Sequence, residues 1–179
     1  MKGGRWKGVR TALVYHNRAV TPRSTPILDR TTAEAALVQG LAVLGQALGA
    51  TALDRLARYC DLLQQWNQRV NLTAITETTD VYLKHFLDSL TLLPLLPAGA
   101  ATLIDVGTGG GFPGLPLAIA RPDVQVTLLE AHARKTTFLT AVVAELALDN
   151  VAVVTGRAEE VGQDVAHREH YDVSVTRAV

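Results

Sequence analysis

The 179-residue chain has one cysteine, Cys60, and one methionine, Met1. A single cysteine excludes an internal disulfide and a cysteine-based zinc site. No apolar run approaches the roughly 20 residues that a membrane-spanning helix needs. The start is not expected to be a secretory signal. Its longest apolar stretch, TALVY, is shorter than an h-region, and no small-residue cleavage pattern follows. No GK[ST] motif is present, which excludes a P-loop for nucleoside triphosphates. Internal repeats and low-complexity tracts are also missing. Formal net charge is zero, with 17 Lys+Arg against 17 Asp+Glu. That balance conceals an asymmetry. Residues 1–30 hold seven Lys/Arg and one acid, Asp29, and the remainder holds ten against sixteen.

What is present divides the chain in three. Residues 1–31 are expected to be a basic extension without regular structure. A transit peptide and an RNA-contacting arm are the other readings of so many cations. Residues 32–98 carry apolar residues at helical spacing and predict a small helical cap. Its first helix is expected to end at Gly49, and Thr51 with Asp54 resembles a capping box for the second. In that second helix Leu53, Leu56, Cys60, Leu63 and Trp66 form one apolar stripe. A polar turn containing Asn71 leads to a third helix, VYLKHFLDSLTLLPLL. From residue 99 onward the period changes. Short apolar runs at 102–107, 124–131, 151–156 and 171–179 read as strands, separated by helical patterns at 113–120 and 134–148. That alternation predicts an α/β domain with a parallel, doubly wound sheet.

Glycine crowds one place. Gly107, Gly109, Gly110, Gly111 and Gly114 follow the first of those strands and open the next helix. In an open parallel sheet this is where ligands bind, because glycine lets a ligand approach the backbone and the helix N–H groups point at it. Gly109-x-Gly111-x-x-Gly114 matches the dinucleotide pattern literally, but in the wrong register with the strand. Glu130 ends the next strand, 23 residues after Gly107, where an acid can bind ribose hydroxyls of NAD or of S-adenosylmethionine. Asp105 lies inside an apolar strand and needs a partner. It either faces a cationic cofactor or bonds to the amides of the glycine loop. Spacing favours S-adenosylmethionine over NAD modestly.

The segments WNQRVNLTAIT, HFLDSL, LIDVGTGGGFPGLPLAIARP, LLEAHARKTTFL, GRAEE and DVSVTRAV follow one another in order. Together, from about residue 34 to the end, they resemble the 16S ribosomal RNA guanine-N7 methyltransferase family, also called glucose-inhibited division protein B. The resemblance implies a class I, Rossmann-like, S-adenosylmethionine-dependent methyltransferase with a helical cap. It implies cofactor binding by Gly107, Gly109, Phe112, Glu130, Ala158, Glu159 and Arg177. Glu130 would face the ribose, and Ala158 and Glu159 would border the adenine. Arg177 would lie near the methyl-transfer face as the catalytic residue, holding either the base or the cofactor carboxylate, with a plain structural ion pair as the remaining reading. Arg134 and Lys135 would meet RNA phosphates. The implied partner is 16S rRNA or a small-subunit precursor, in the cytoplasm, with no membrane and no metal, and a monomer is expected. His85 and Asp88 share a helix face and read as a polar pair fixing the cap against the loop, with a catalytic role as the alternative. Trp66 is expected to pack in the cap, Asn71 to bond nearby backbone, and His167 and His170 to be exposed. The family's chain continues past Arg177 with another helix and further strands. So the Rossmann-like domain, 99–179, is expected to be incomplete, with its strand at 171–179 an exposed edge. The alternatives are a non-catalytic cofactor- or rRNA-binding fragment and an NAD-dependent oxidoreductase. Against the latter stand the glycine register and the lack of a Tyr-x-x-x-Lys pair.

Overall fold

The four apolar runs form one parallel sheet, and a fifth strand joins it. The computed structural model describes residues 11–15, 30–99 and 101–177. Its strands are β1 (Thr11–Tyr15), β2 (Ala101–Val106), β3 (Val124–Glu130), β4 (Val151–Thr155) and β5 (Val173–Arg177). The spatial order is β1-β5-β2-β3-β4, with every neighbouring pair parallel. β2 is central and buried on both faces, which is why it reads as a continuous apolar run rather than an alternation. Leu103 lies opposite Val126 of β3 and Val173 of β5. The chain steps outward through β3 and β4, then returns to the other side of β2, so the switch point lies between the ends of β2 and β5.

β1 corrects two expectations. Residues 11–15 of the basic extension are a strand, and β5 is therefore not an edge. Thr11 to Tyr15 pair in register with Val173 to Arg177. The physical reason is the cost of an unpaired row of N–H and C=O groups on β5, which a short apolar run can satisfy. The other residues of the extension before Arg30 lie outside the described residues, as do Ala178 and Val179.

The cap consists of α1 (Arg30–Val43), α2 (Ala50–Asn67) and a third helix over 78–90 whose middle, Val81–Leu87, is π-helical. α1 ends before Gly49, because Gly45 adopts φ +66° and the amide of Gln46 turns back to the carbonyl of Leu41 at 2.9 Å. Gly49 instead precedes α2 without a side-chain cap, so the Thr51–Asp54 box does not form. The cap is not a separate globule. Leu37, Leu56, Tyr59, Leu63 and Phe86 share one continuous apolar core with Leu103, Leu115, Leu128 and Phe138 of the sheet and its helices. Arg55 and Arg58 of α2 donate to the carbonyls of Ala147 and Glu145 at the end of helix Ala133–Glu145. Trp66 packs on Phe138 of that helix, ring centroids 5.7 Å apart. The other sheet face carries a smaller cluster of Ile104, Leu129 and Tyr171 beside helix Ala158–Val161. His167 is half-buried there, its Nδ1 2.7 Å from the Tyr171 hydroxyl, and of this pair only His170 is exposed.

Candidate functional site

The carboxyl ends of β2, β3, β4 and β5 open into a cleft of about 510 Å³. Gly107, Gly109, Phe112, Glu130, Ala158, Glu159 and Arg177 all line it. Four separate chain segments bring these seven together.

The glycine loop forms the floor. Gly107, Gly109 and Gly111 have φ of +72°, +61° and +100°. These are left-handed conformations that cost other L-residues about 1–2 kcal/mol. A Cβ on Gly109 would meet only the Gly107 carbonyl at 3.9 Å, so the space beside this glycine is open cleft. The amides of Gly107 and Thr108 bond to the Leu129 carbonyl at 2.9 and 3.1 Å, which ties the loop to β3. Asp105 lies beneath, fully buried, and does not line the cleft. Its Oδ2 accepts the Thr108 hydroxyl at 2.6 Å and the Gly114 amide at 2.7 Å, while Oδ1 has no partner. Of the two readings of Asp105, the loop brace is therefore the one that the structure adopts. Burial pushes this carboxyl up to about 6, against the opposing bonds from Thr108 and Gly114.

Glu130 stands at one end of the cleft. Its Oε2 accepts the Gly109 amide at 3.0 Å, and Oε1 accepts the His132 amide at 2.9 Å with the His132 ring at 2.8 Å. Burial opposes ionisation, but the two His132 bonds, Lys135 and the Gly109 amide outweigh it and hold the carboxyl below its ordinary range. Two acceptor oxygens with about four lone-pair sites still leave room for hydroxyl donors. Lys135 and Arg157 also line this end, and Arg134 is exposed.

At the other end the cap closes the wall with Leu72, Thr73 and His85. Arg177 donates from Nη1 to Asp88 Oδ2 at 3.1 Å and to the Lys84 carbonyl at 3.4 Å, and from Nη2 to His85 Nδ1 at 3.0 Å. His85 stacks on Phe112 with centroids 4.3 Å apart, and the Arg177 guanidinium carbon lies 5.1 Å from the same ring. Phe112 is only 4% exposed, yet it lines the cleft and supports both of these side chains. Burial, then the Arg177 charge, push the His85 imidazole down to about 3.

Sequence reasoning missed three contributors: Thr73, His132 and Asn67. Asn67, not Asn71, fixes the turn, accepting the amides of Leu72 and Thr73 at 2.8 and 3.0 Å and donating to the Thr73 carbonyl at 2.8 Å. Its place one helical turn after Gln64, which bonds the Thr76 carbonyl, was the available signal. Among the described residues no group of three metal-ligating side chains occurs, and no helix is long and apolar enough to cross a membrane.

A parallel sheet with a glycine loop at its switch point, an acid ending the next strand and a helical cap define a class I Rossmann-like methyltransferase fold. The sequence profile of the family described as rRNA small subunit methyltransferase G matches residues 52–179, and the chain belongs to that family. The Ribosomal RNA small subunit methyltransferase G of Neisseria gonorrhoeae is 53% identical over 122 residues, which is 68% of this chain and 58% of the relative. The protein of the same name from Acetivibrio thermocellus is 43% identical over 143 residues, 80% of this chain and 59% of the relative. That from Leuconostoc citreum is 46% identical over 147 residues, 80% and 62%. The chain thus spans about three-fifths of the length of these curated relatives.

Proposed function

We propose that this chain binds S-adenosylmethionine in the cleft and serves methyl transfer to N7 of a guanine in 16S rRNA, acting in the cytoplasm on the RNA or a small-subunit precursor. The observation that supports it best is the convergence of Gly107, Gly109, Glu130, Ala158, Glu159 and Arg177 on one cleft in a chain of this family. The open space beside Gly109 fits a ligand lying on the loop, and the ionised Glu130 fits ribose hydroxyls. Ala158 and Glu159 border the adenine in this reading. Bound S-adenosylmethionine supplies an electrophilic sulfonium methyl group.

The residues of the chain then need only position and polarise. Guanine N7 carries an in-plane lone pair and attacks without first losing a proton, so no general base is needed. The cleft agrees with that demand. His85 has both ring nitrogens in hydrogen bonds, and Glu130 is engaged on both oxygens. Rate would come from alignment of the reacting groups and from fixed charges around them.

Calorimetry of the 179-residue chain with S-adenosylmethionine, and with NADH in parallel, tests the reading. Binding of S-adenosylmethionine alone, lost in Gly107→Asp and Glu130→Ala, is expected. Methyl incorporation into small-subunit rRNA is the next readout. Binding without incorporation selects a non-catalytic binding fragment, and binding of NADH alone selects the oxidoreductase. No binding by a folded sample overturns the cofactor assignment.

A further inference from the structure

The cap wall contains more machinery than cofactor binding requires. Arg177 and Asp88 are both nearly buried, with side chains 12% and 11% exposed. A guanidinium has five N–H donors. Three of Arg177's are committed to a single turn of the third helix: the Lys84 carbonyl, Asp88 Oδ2 and His85 Nδ1. The Nε–H and the second Nη2–H have no partner among the described residues, and Arg177 lines the cleft.

The contact with His85 specifies a tautomer. Arginine cannot accept a hydrogen bond, so Nδ1 must be the unprotonated nitrogen. The ring proton is then on Nε2 and is donated to Thr73 Oγ1 at 2.8 Å. Thr73 Oγ1 also accepts the Ile75 amide at 3.0 Å, within the turn that Asn67 clamps. Phe112 holds the ring plane from the glycine loop. The imidazole is thus fixed from behind by the cap turn, from the side by the loop, and in front by the guanidinium. An ion pair with Asp88 alone would leave the arginine free to swing about one contact.

We infer that His85 is a positioning residue, a neutral imidazole whose Nδ1 is a permanent acceptor that holds Arg177 with one N–H edge presented to the cleft. The inference rests on the reading of the cleft as a methyl-transfer site and gives a chemical reason for the device. A mobile arginine takes the O6 and N7 acceptors of guanine together, and an N7 so bonded has no lone pair left for attack. An arginine anchored on the helix offers its donors only where the helix holds them.

Two measurements test this. The first needs no ligand: long-range proton–nitrogen NMR of the His85 ring in the full chain. Nδ1 is expected unprotonated and Nε2 protonated at neutral pH, and Arg177→Met is expected to move the Nδ1 resonance. A Nδ1-protonated ring, or a resonance indifferent to Arg177→Met, overturns the inference whether or not the cofactor assignment stands. The second is a double-mutant cycle read as S-adenosylmethionine affinity and methyl-transfer rate. His85→Phe, which keeps the stacking and removes the acceptor, is expected to reproduce the loss of Arg177→Met. That loss is about 100-fold in rate, the scale of a 1 Å misplacement. The double variant is expected to be no worse than either single one, and His85→Asn, which restores an acceptor near Nδ1, to recover most of the loss. Additive losses, a silent His85→Phe, or equal loss in His85→Phe and His85→Asn overturns it. A folded chain that binds no S-adenosylmethionine defeats the functional reading instead, and the NMR result alone then decides the role of His85.

Discussion

Asp105→Asn tests whether the glycine loop rests on a buried carboxyl that ionises at a cost. Burial raises this group from its ordinary 3.8 to about 6. Across that window the folded chain binds more protons at position 105 than the unfolded chain, so stability is lost as pH rises from about 4 to about 6. A rise of about two pH units corresponds to about 3 kcal/mol. The asparagine has no such term. Its Oδ1 can accept the Thr108 hydroxyl and the Gly114 amide in place of the carboxylate Oδ2. Urea unfolding of both chains, followed by tryptophan fluorescence at pH 4, 5, 6 and 7, isolates the effect because every other titration is common to both. The stability of Asp105→Asn relative to the parent should climb by about 3 kcal/mol across the series and level off above about pH 7. A flat difference would refute the argument, and a fall would mean that the bonds from Thr108 and Gly114 outweigh desolvation and hold the group ionised.

Glu130→Gln should weaken S-adenosylmethionine binding about tenfold by calorimetry, the worth of one lost charged acceptor, with the urea midpoint little changed. Unchanged affinity would place the ribose elsewhere. Gly111→Ala combines φ +100° with a Cβ 2.6 Å from the Tyr59 hydroxyl, so it should cost about 3 kcal/mol of stability, whereas Gly109→Ala, facing open cleft, should cost about 1 and impair binding more. Asn67→Ala strands the amides of Leu72 and Thr73 and should cost about 2 kcal/mol in the same unfolding assay. His85 works in the opposite direction to Asp105. Its pKa lies far below that of an unfolded histidine, so its contribution to stability is lost as pH falls below about 6.5 towards about 3, and His85→Phe should remove that part of the acid sensitivity.

Much of the sheet was legible because its signals are local. β2, β3, β4 and β5 are apolar runs closed by glycine or turn residues, and the glycine loop announces the switch point. β1 was not legible, because five apolar residues carry no period that separates strand from helix, and its pairing with β5 spans more than 150 residues. The end of α1 was misplaced by four residues' worth of loop. Gly45 and Gly49 are both stop signals, and only the left-handed backbone at Gly45 decides between them. At the site, the motif residues were legible one by one. Their contacts were not. Nothing local to Thr73 says that it meets His85, and nothing in RAV says that its arginine lies on the helix turn holding Lys84 and Asp88, 89 residues from Asp88.

Those long-range contacts make the cap part of the loop's structure. Tyr59 donates to the Gly110 carbonyl, and a Cβ on Gly110 would meet Leu63 and the Leu72 carbonyl at 3.6 Å. Phe112 is bracketed by His85, Tyr59 and Phe86, all from the cap. The backbone that gives the glycine loop its left-handed turns is therefore held on one side by the sheet, through Leu129 and Asp105, and on the other by α2, the third cap helix and the turn at Asn67. A loop so rich in glycine loses more chain entropy on ordering than any other segment of its length, and bonds from two directions are what offset that cost. The cap then does two things with one set of contacts. It orders the floor of the cleft, and through His85 and Asp88 it sets the arginine at the end of β5 that lines the same cleft. Substitutions in the cap core should for that reason disturb the cleft before they unfold the sheet.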